Sequence, residues 1–529
     1  MSELLEIKEK TLIDLLIEEQ GKVDTPVGRF TEEVEARARV GDLPPQGLIP
    51  LSGPKPGEQF AFEVNLDRCS GCKGCVTACH SLNGLDENET WRDVGLLVGG
   101  SESHPFQQTV TTACHHCVDP GCLNGCPVNA YEKDPISGVV LHLDDQCIGC
   151  QYCVLKCPYD VPKYSSKRGI VRKCDMCHSR LSVGEAPACV QACPHEAIKI
   201  VTVDKEERYE AASGAANFLP DSPDPSYTIP TTRYVSKKRT PSSLEAADKH
   251  VLRPQPAHWP LVGLLALSQI GIGGYAFSAF AGSGLGTVSN LWSLVVSWAV
   301  LHAGLICSAL HLGQPLKAWR IFLGLRKSWL SREAVALGGA SVLASAALVL
   351  SFYGFWAEEP VFDVATFLKP LMAGAAVSGL VAVLTSVYIY VDTKRSFWSF
   401  RFTAPKFYGS VALGALAMGV FAYSLQGEGA SFVAIFVGVF FLKLGFEWVA
   451  RSENPATLAM SVGPLALVWQ ARLAIGAIAG VFLPVLFVLF PSIFLSIALL
   501  VSVVLSEIAE RVFYFKAVNA PKMPGSVTI

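Results

Sequence analysis

The sequence predicts two architectures in one polypeptide: a cysteine-rich α+β domain, followed by an all-α bundle of eight transmembrane helices. Three observations predict it. Sixteen of the 17 cysteines fall between Cys69 and Cys193. Half of the 529 residues are hydrophobic and only 17% are charged, against about 25% charged in an average globular chain. No Asp, Glu, Lys or Arg occurs from Pro254 through Leu316, a stretch long enough for two membrane helices of about 20 residues each. The net charge of −3 leaves no electrostatic footprint for nucleic acid, and a mean hydropathy of +0.36 excludes a disordered chain.

Taken in order, residues 1–60 read as an N-terminal arm, in which Leu12, Ile13, Leu16 and Ile17 make one apolar helical face ahead of Pro- and Gly-containing sequence. The opening MSELLEIKEKTLIDLLIEEQ has acids where a secretory signal needs an apolar core, so no cleaved leader is expected. Cysteine at this density without one points to metal ligation over disulfides. Residues 61–204 hold the cysteines among β-rich pieces such as FAFEVNL and GVVLHL, and residues 205–256 have the Pro-, Ser- and charge-rich composition of a linker. Residues 257–515 supply spans at 258–280, 289–312, 333–355, 367–391, 405–425, 430–447, 466–489 and 491–513, and residues 516–529 form a tail.

Basic residues set the orientation. One side of the eight spans receives Lys317, Arg320, Arg326, Lys327, Arg332, Lys394, Arg395, Arg401, Lys406, Lys443, Arg451, Arg472, Arg511, Lys516 and Lys522, whereas the other has only Lys369, beside Glu358, Glu359 and Asp363. Positive loops stay inside. A multi-pass protein of the inner (cytoplasmic) membrane is therefore expected, with its cysteine domain facing the cytoplasm.

The cysteines form four groups: Cys69, Cys72, Cys75, Cys79; Cys114, Cys117, Cys122, Cys126-Pro127; Cys147, Cys150, Cys153, Cys157-Pro158; and Cys174, Cys177, Cys189, Cys193-Pro194. Three Cys at three-residue intervals wrap one iron–sulfur cube, and the fourth reaches a neighbouring cluster. The last group alone would also suit a four-cysteine zinc site. Four groups in succession, three ending Cys-Pro, predict instead a tandem bacterial-type ferredoxin domain with four [4Fe–4S] clusters. His115 and His116 are expected beside the cluster or at the surface, since the flanking cysteines already explain the spacing.

On these motifs, residues 61–204 resemble the four-cluster subunit of the dimethyl sulfoxide reductase family of complex iron–sulfur molybdoenzymes. Residues 257–515 resemble the eight-helix anchor subunit of the same complexes, through HWPLV at His258–Val262, LHLGQP at Leu310–Pro315, LSRE at Leu330–Glu333 and SEIAERVFY at Ser506–Tyr514. The resemblance implies that Cys69, Cys72, Cys75 and Cys193 hold the cluster nearest a molybdopterin catalytic subunit carrying its own cluster. It implies that Cys174, Cys177, Cys189 and Cys79 hold the second, and Cys114, Cys117, Cys122 and Cys157 the third. Cys147, Cys150, Cys153 and Cys126 then hold the one nearest the membrane. Nitrate-reductase relatives place Trp at the position of Cys150 and carry a three-iron cluster there, so this sequence follows the dimethyl sulfoxide reductase pattern.

The membrane half contains only His258, His302 and His311. His302 and His311 are separated by about 13.5 Å of helical rise and cannot share one iron, so no haem is expected and the clusters should meet quinone, menaquinone or ubiquinone, directly. His311 and Glu333 are the candidate catalytic residues, because ionisable groups at the membrane face are costly and the anchor family places a functional His and Glu in these motifs. Arg332, Glu507 and Arg511 could support that site or be interfacial. The expected function is electron transfer between the catalytic partner and the quinone pool, the substrate being a small sulfur oxyanion or an S- or N-oxide. Cytoplasm-facing sulfite dehydrogenase is a similar assembly. The alternative is an ion-pumping, polysulfide-reductase-like module, disfavoured by charge-free stretches such as Leu473–Ser506. A zinc-held scaffold is a third.

Overall fold

The computed structural model describes residues 11–21, 29, 32, 47–87, 89–213, 218–238, 241, 243–357, 361 and 363–525. Most of the arm, together with Glu358 and Glu359, lies outside them. The described part of the arm includes α1 (Leu12–Gly21), whose Leu12 and Ile13 are exposed.

The cysteine domain is built from short strands and shorter helices. β1 (Glu58–Asn65) is the centre of a three-stranded sheet, antiparallel to β8 (Ile198–Asp204) and parallel to β9 (Arg233–Val235). Its sequence buries Phe62 and Val64 on one face, the period-two spacing that made FAFEVNL legible. A second sheet orders β10 (Glu245–Ala246), β2 (Asp93–Ser101) and β3 (His104–Thr112). Hairpins β4 (Tyr131–Lys133) with β5 (Val140–His142) and β6 (Lys163–Ser165) with β7 (Ile170–Arg172) complete the strands. Helices α2 (Gly74–Asn83), α3 (Gly121–Gly125), α4 (Tyr152–Lys156), α5 (His178–Leu181) and α6 (Ala188–Gln191) each contain or adjoin cysteines, and α7 (Lys205–Ser213) follows β8.

Residues 205–256 are not a free linker. β9 and β10 lie within them, Thr228 and Thr231 are buried, and the Thr231 hydroxyl donates to the His115 carbonyl at 2.7 Å. Composition misled because this polar segment satisfies its groups against the cluster domain rather than against water. The tail also returns to that domain: the amide of Leu96 donates to the Gly525 carbonyl at 3.2 Å, and Lys522 pairs with Asp248.

Eight helices are long and apolar enough to cross a membrane: α8 (Trp259–Phe280), α9 (Thr287–Leu310), α10 (Trp329–Trp356), α11 (Val364–Val391), α12 (Phe400–Ser424), α13 (Ala430–Ser452), α15 (Ala466–Leu489) and α16 (Ile493–Lys516), with α14 (Pro455–Val462) a short helix between the sixth and seventh. Phe490, Pro491 and Ser492 alone separate the last two. α8 is the hub, and Gly273 lets it approach α12 so closely that a Cβ there would stand 2.2 Å from the Val411 carbonyl oxygen.

The cluster-facing ends of these helices dock directly on the cysteine domain. Ser328 donates to the Gly125 carbonyl at 2.7 Å, and Lys156 pairs with Asp392 at 2.7 Å. The count of loop charges needs correction. Lys406, Lys443, Arg472 and Arg511 are each at most 2% exposed and lie inside the bundle, so they do not report loop topology. Lys317, Arg320, Arg326, Lys327 and Arg332 remain on the cluster-domain side, as do Lys394, Arg401 and Lys516.

Candidate functional site

The cysteine loops take conformations that side chains ordinarily avoid. Lys73 after Cys72, Gln151 after Cys150 and Met176 after Asp175 have φ of 60°, 58° and 59°, and Asn129, Asp160 and Glu196 repeat the feature three residues beyond Cys126, Cys157 and Cys193. These left-handed turns aim backbone amides at sulfur. Ala130 N–H reaches Cys126 Sγ and Ala197 N–H reaches Cys193 Sγ, both at 3.2 Å.

The thiols converge across the groups. Cys69, Cys72, Cys75 and Cys193 line one cavity, and Cys114, Cys117, Cys122 and Cys157 line another. Cys79 is close enough to Cys189 and Cys177 to feel their charge, as Cys174 is to Cys79 and Cys189, and Cys153 is to Cys150, Cys126 and Cys147. Burial, then Cys189, pushes the Cys79 thiol up to about 12. The protein alone therefore disfavours thiolate there, and a bound cation has to supply what desolvation removes.

Two buried cations that the sequence did not single out stand among these thiols. Burial opposes the charge of Arg92, but Cys189, Cys75, Cys174 and Cys79 hold its pKa above the ordinary value; its Nη1 donates to Thr111 at 3.2 Å, while Nε and Nη2 have no partner. Lys173 is similarly raised by Cys114, Cys122 and Cys174 against burial. His115 and His116 are also buried and line the cavity of Cys114. Each Nε2 is without a partner. Burial, then Arg92, lowers His115 to about 3, and burial, then Lys173, holds His116 well below its usual value. Four-thiol pockets with unpartnered donors aimed among them suit iron–sulfur cubes, whose sulfides accept hydrogen bonds.

The third cysteine group meets the membrane. His311, which ends α9, donates from Nε2 to the Cys150 carbonyl at 3.0 Å, and Tyr152 donates to the Ile389 carbonyl at 3.3 Å. Glu333, near the start of α10, is 4% exposed and hydrogen-bonded by Ser386 of α11. Burial pushes the Tyr152 hydroxyl up, with Asp392, Tyr227, Tyr390 and Glu333 adding. His311 thus reaches the cluster loop by a hydrogen bond, whereas Glu333 is bonded to Ser386 and acts on Tyr152 only through its charge; the two share no hydrogen bond among the described residues. Arg332 lies outside this contact, donating to the Leu325 and Arg326 carbonyls.

A separate ionic network occupies the bundle. Lys443 pairs with Glu447 at 2.6 Å and with Glu507 at 3.0 Å. Arg472 grips both oxygens of Glu447 at 2.8 and 3.0 Å. Arg511 donates to Gln269 at 2.7 Å and to Ser410 at 2.8 Å, and Ser410 bonds Glu507. All lie about one to three turns inside the cluster-facing helix ends. The signal was present in the sequence as Lys443/Glu447 and Glu507/Arg511, two opposite-charge pairs four residues apart in apolar spans.

Residues 106–203 match the family model of the 4Fe–4S dicluster domain, and residues 256–515 match that of the DMSO reductase anchor subunit, DmsC. The B subunit of the anaerobic dimethyl sulfoxide reductase of Haemophilus influenzae is 33% identical over 188 residues, covering 34% of this protein and 91% of that one. The chain belongs to the dimethyl sulfoxide reductase family of iron–sulfur and anchor subunits. The probable anaerobic dimethyl sulfoxide reductase subunit YnfG of Escherichia coli K12 is 33% identical over 170 residues, 31% of this protein and 82% of its own length. Hydrogenase-2 operon protein HybA of E. coli O157:H7 is 34% identical over 188 residues, 31% of this protein and 56% of its own length. As a member of the family, the protein is a multi-pass membrane protein that fuses a 4Fe–4S electron-transfer domain to its anchor.

Proposed function

We propose that this protein carries electrons through four [4Fe–4S] clusters between a molybdopterin catalytic subunit and the quinone pool, with quinone reacting at the cluster-facing membrane surface beside His311 and Glu333. The hydrogen bond from His311 to the Cys150 carbonyl carries the reading, because it joins the end of a membrane helix to a cluster-binding loop. The four cysteine quartets are those set out above for each cluster. Their support is the sharing of cavities and charge across groups, which adjacent loops alone would not produce. The exposure of Cys72 supports a first quartet open to a docking catalytic partner. The substrate class is a small sulfur oxyanion or an S- or N-oxide, and the basic loops favour a cytoplasmic cluster domain.

The residues divide the quinone chemistry between them. Nε2–H of His311 is committed to Cys150, so a neutral ring leaves Nδ1 free to accept from a quinol hydroxyl. Glu333, buried and hydrogen-bonded by Ser386, is the proton-exchanging carboxylate, and both residues lie at the cluster-domain end of their helices. In the complete complex, His311→Ala or Glu333→Gln should cut quinone-linked turnover by about 100-fold or more. Dye-linked activity of the catalytic subunit and all cluster signals should persist. Normal quinone kinetics in both variants would overturn the site.

The buried network gives the ion-pumping alternative one supporting observation, since ionisable groups do stand within the bundle. Its carboxylates Glu447 and Glu507 are matched by Lys443 and Arg472, which suits anchoring better than proton carriage. Charge movement across proteoliposomes during turnover separates the two readings.

A further inference from the structure

A cavity of about 340 Å³ lies where the cluster domain meets the ends of α8, α12 and α16. Its walls come from α4, the segment leading into α8, the turn before α12 and the residues that follow α16. Neither His311 nor Glu333 lines it, but it adjoins the quinone site proposed above, because His258 in its wall packs edge-on against His311 with ring centroids 5.9 Å apart.

Arg395 forms part of its wall. The residue is 7% exposed, and its guanidinium lies 4.8 Å over the Trp398 ring. It makes one long hydrogen bond, 3.4 Å from Nη2 to the Leu155 carbonyl, and Nε has no partner. Among the described residues no carboxylate pairs with it. Asp160, the acid in the same wall, is already held by Lys163 at 2.7 Å. Guanidinium is donor-only, and a buried charge without a counter-charge is costly. His258 also lines the cavity, with no hydrogen bond to its ring nitrogens among the described residues.

The remaining lining extends the same chemistry. Lys163, Arg253 and Lys522 join Arg395, giving four cations against the single acid Asp160; Lys522 also pairs with Asp248, to which Arg253 approaches at 3.9 Å. The wall is therefore donor-rich and positive. Asp160 and Cys157 in the same wall act on the charge of Arg395 but accept no hydrogen bond from it, and an anion with only acceptor oxygens supplies the missing partners. His258 immediately precedes α8, whose first residue, Trp259, is 64% exposed, and Phe400, opening α12, is 47% exposed. Aromatic residues of this kind mark the headgroup level of a bilayer, and basic pockets at helix ends on the cytoplasmic side take lipid headgroups.

We propose that this cavity is a phosphate-binding site which takes the phosphodiester of an acidic membrane lipid, anchored by Arg395 and guided in by Lys163, Arg253 and Lys522. The lipid would stand between the cluster domain and three membrane helices and fasten one to the other.

The test uses the full-length, cluster-loaded complex, stripped of lipid and titrated with short-chain phosphatidylglycerol, phosphatidylcholine of equal length, or inorganic phosphate, with bound species counted by native mass spectrometry. Phosphatidylglycerol should saturate one such site, bind at least tenfold tighter than phosphatidylcholine, weaken in high salt and be displaced by excess phosphate. Arg395→Gln should weaken it at least tenfold while leaving the cluster signals unchanged. Free phosphate binding without phosphatidylglycerol binding would reject a lipid source. Equal binding of the two lipids by the unaltered protein, or undiminished binding by Arg395→Gln, would overturn the proposal. Displacement of phosphatidylglycerol by a quinol analogue would do the same by making this cavity the quinone site. The lipid comparison on the unaltered protein stands even if the variant fails to fold.

Discussion

Cys150 joins two roles at one residue: its thiol, proposed to complete a quartet with Cys126, Cys147 and Cys153, lies within electrostatic reach of Cys153, and its carbonyl receives His311. Cys150→Ser or Cys150→Trp should leave three thiols and convert the membrane-nearest cluster to a three-iron form. Electron paramagnetic resonance should then show one new three-iron signal with the other clusters retained; an unchanged spectrum with full quinone turnover would remove Cys150 from the ligand set. The spacing that nominates the thiol is visible in the sequence because cluster loops impose short, fixed intervals. Arg92 and Lys173 were not, because a lone cation in a polar domain has no periodic signature, and only folding shows that each is buried among thiols from several groups.

At the scale of elements, the eight spans were readable almost to their ends, since apolar length is a one-dimensional property. The charges inside them were harder to read. Lys443 and Arg472 resemble loop residues until packing brings Glu447 and Glu507 against them, and Arg511 does so until it pairs with Glu510. Glu447 holds both Lys443 and Arg472, so Glu447→Gln leaves buried cations short of a partner. Breaking such a pair costs about 3–5 kcal/mol, and thermal unfolding in detergent should show the loss. Glu447→Leu combined with Arg472→Met should be milder, because it removes both charges. An unshifted unfolding curve for Glu447→Gln would mean that the network does not hold these helices together. Residues 205–256 were misread for the opposite reason: composition reports solvent preference, but strand pairing of Arg233–Val235 with β1 depends on the partner strand.

For the whole molecule, removing the buried cations from the loop count leaves the basic excess on the cluster-domain side intact. Protease added to intact spheroplasts should therefore leave the cluster domain whole, while the same protease cuts it in inside-out vesicles. Digestion from outside would reverse the orientation and favour an exported reductase. The proposed quartets, and the roles read into the buried donors and the His311 hydrogen bond, depend on four clusters forming one path to the membrane. Metal analysis of anaerobically purified protein tests that dependence most directly. The account predicts about 16 iron atoms per polypeptide, matched by acid-labile sulfide and with negligible zinc; a zinc-rich, iron-poor preparation would contradict it.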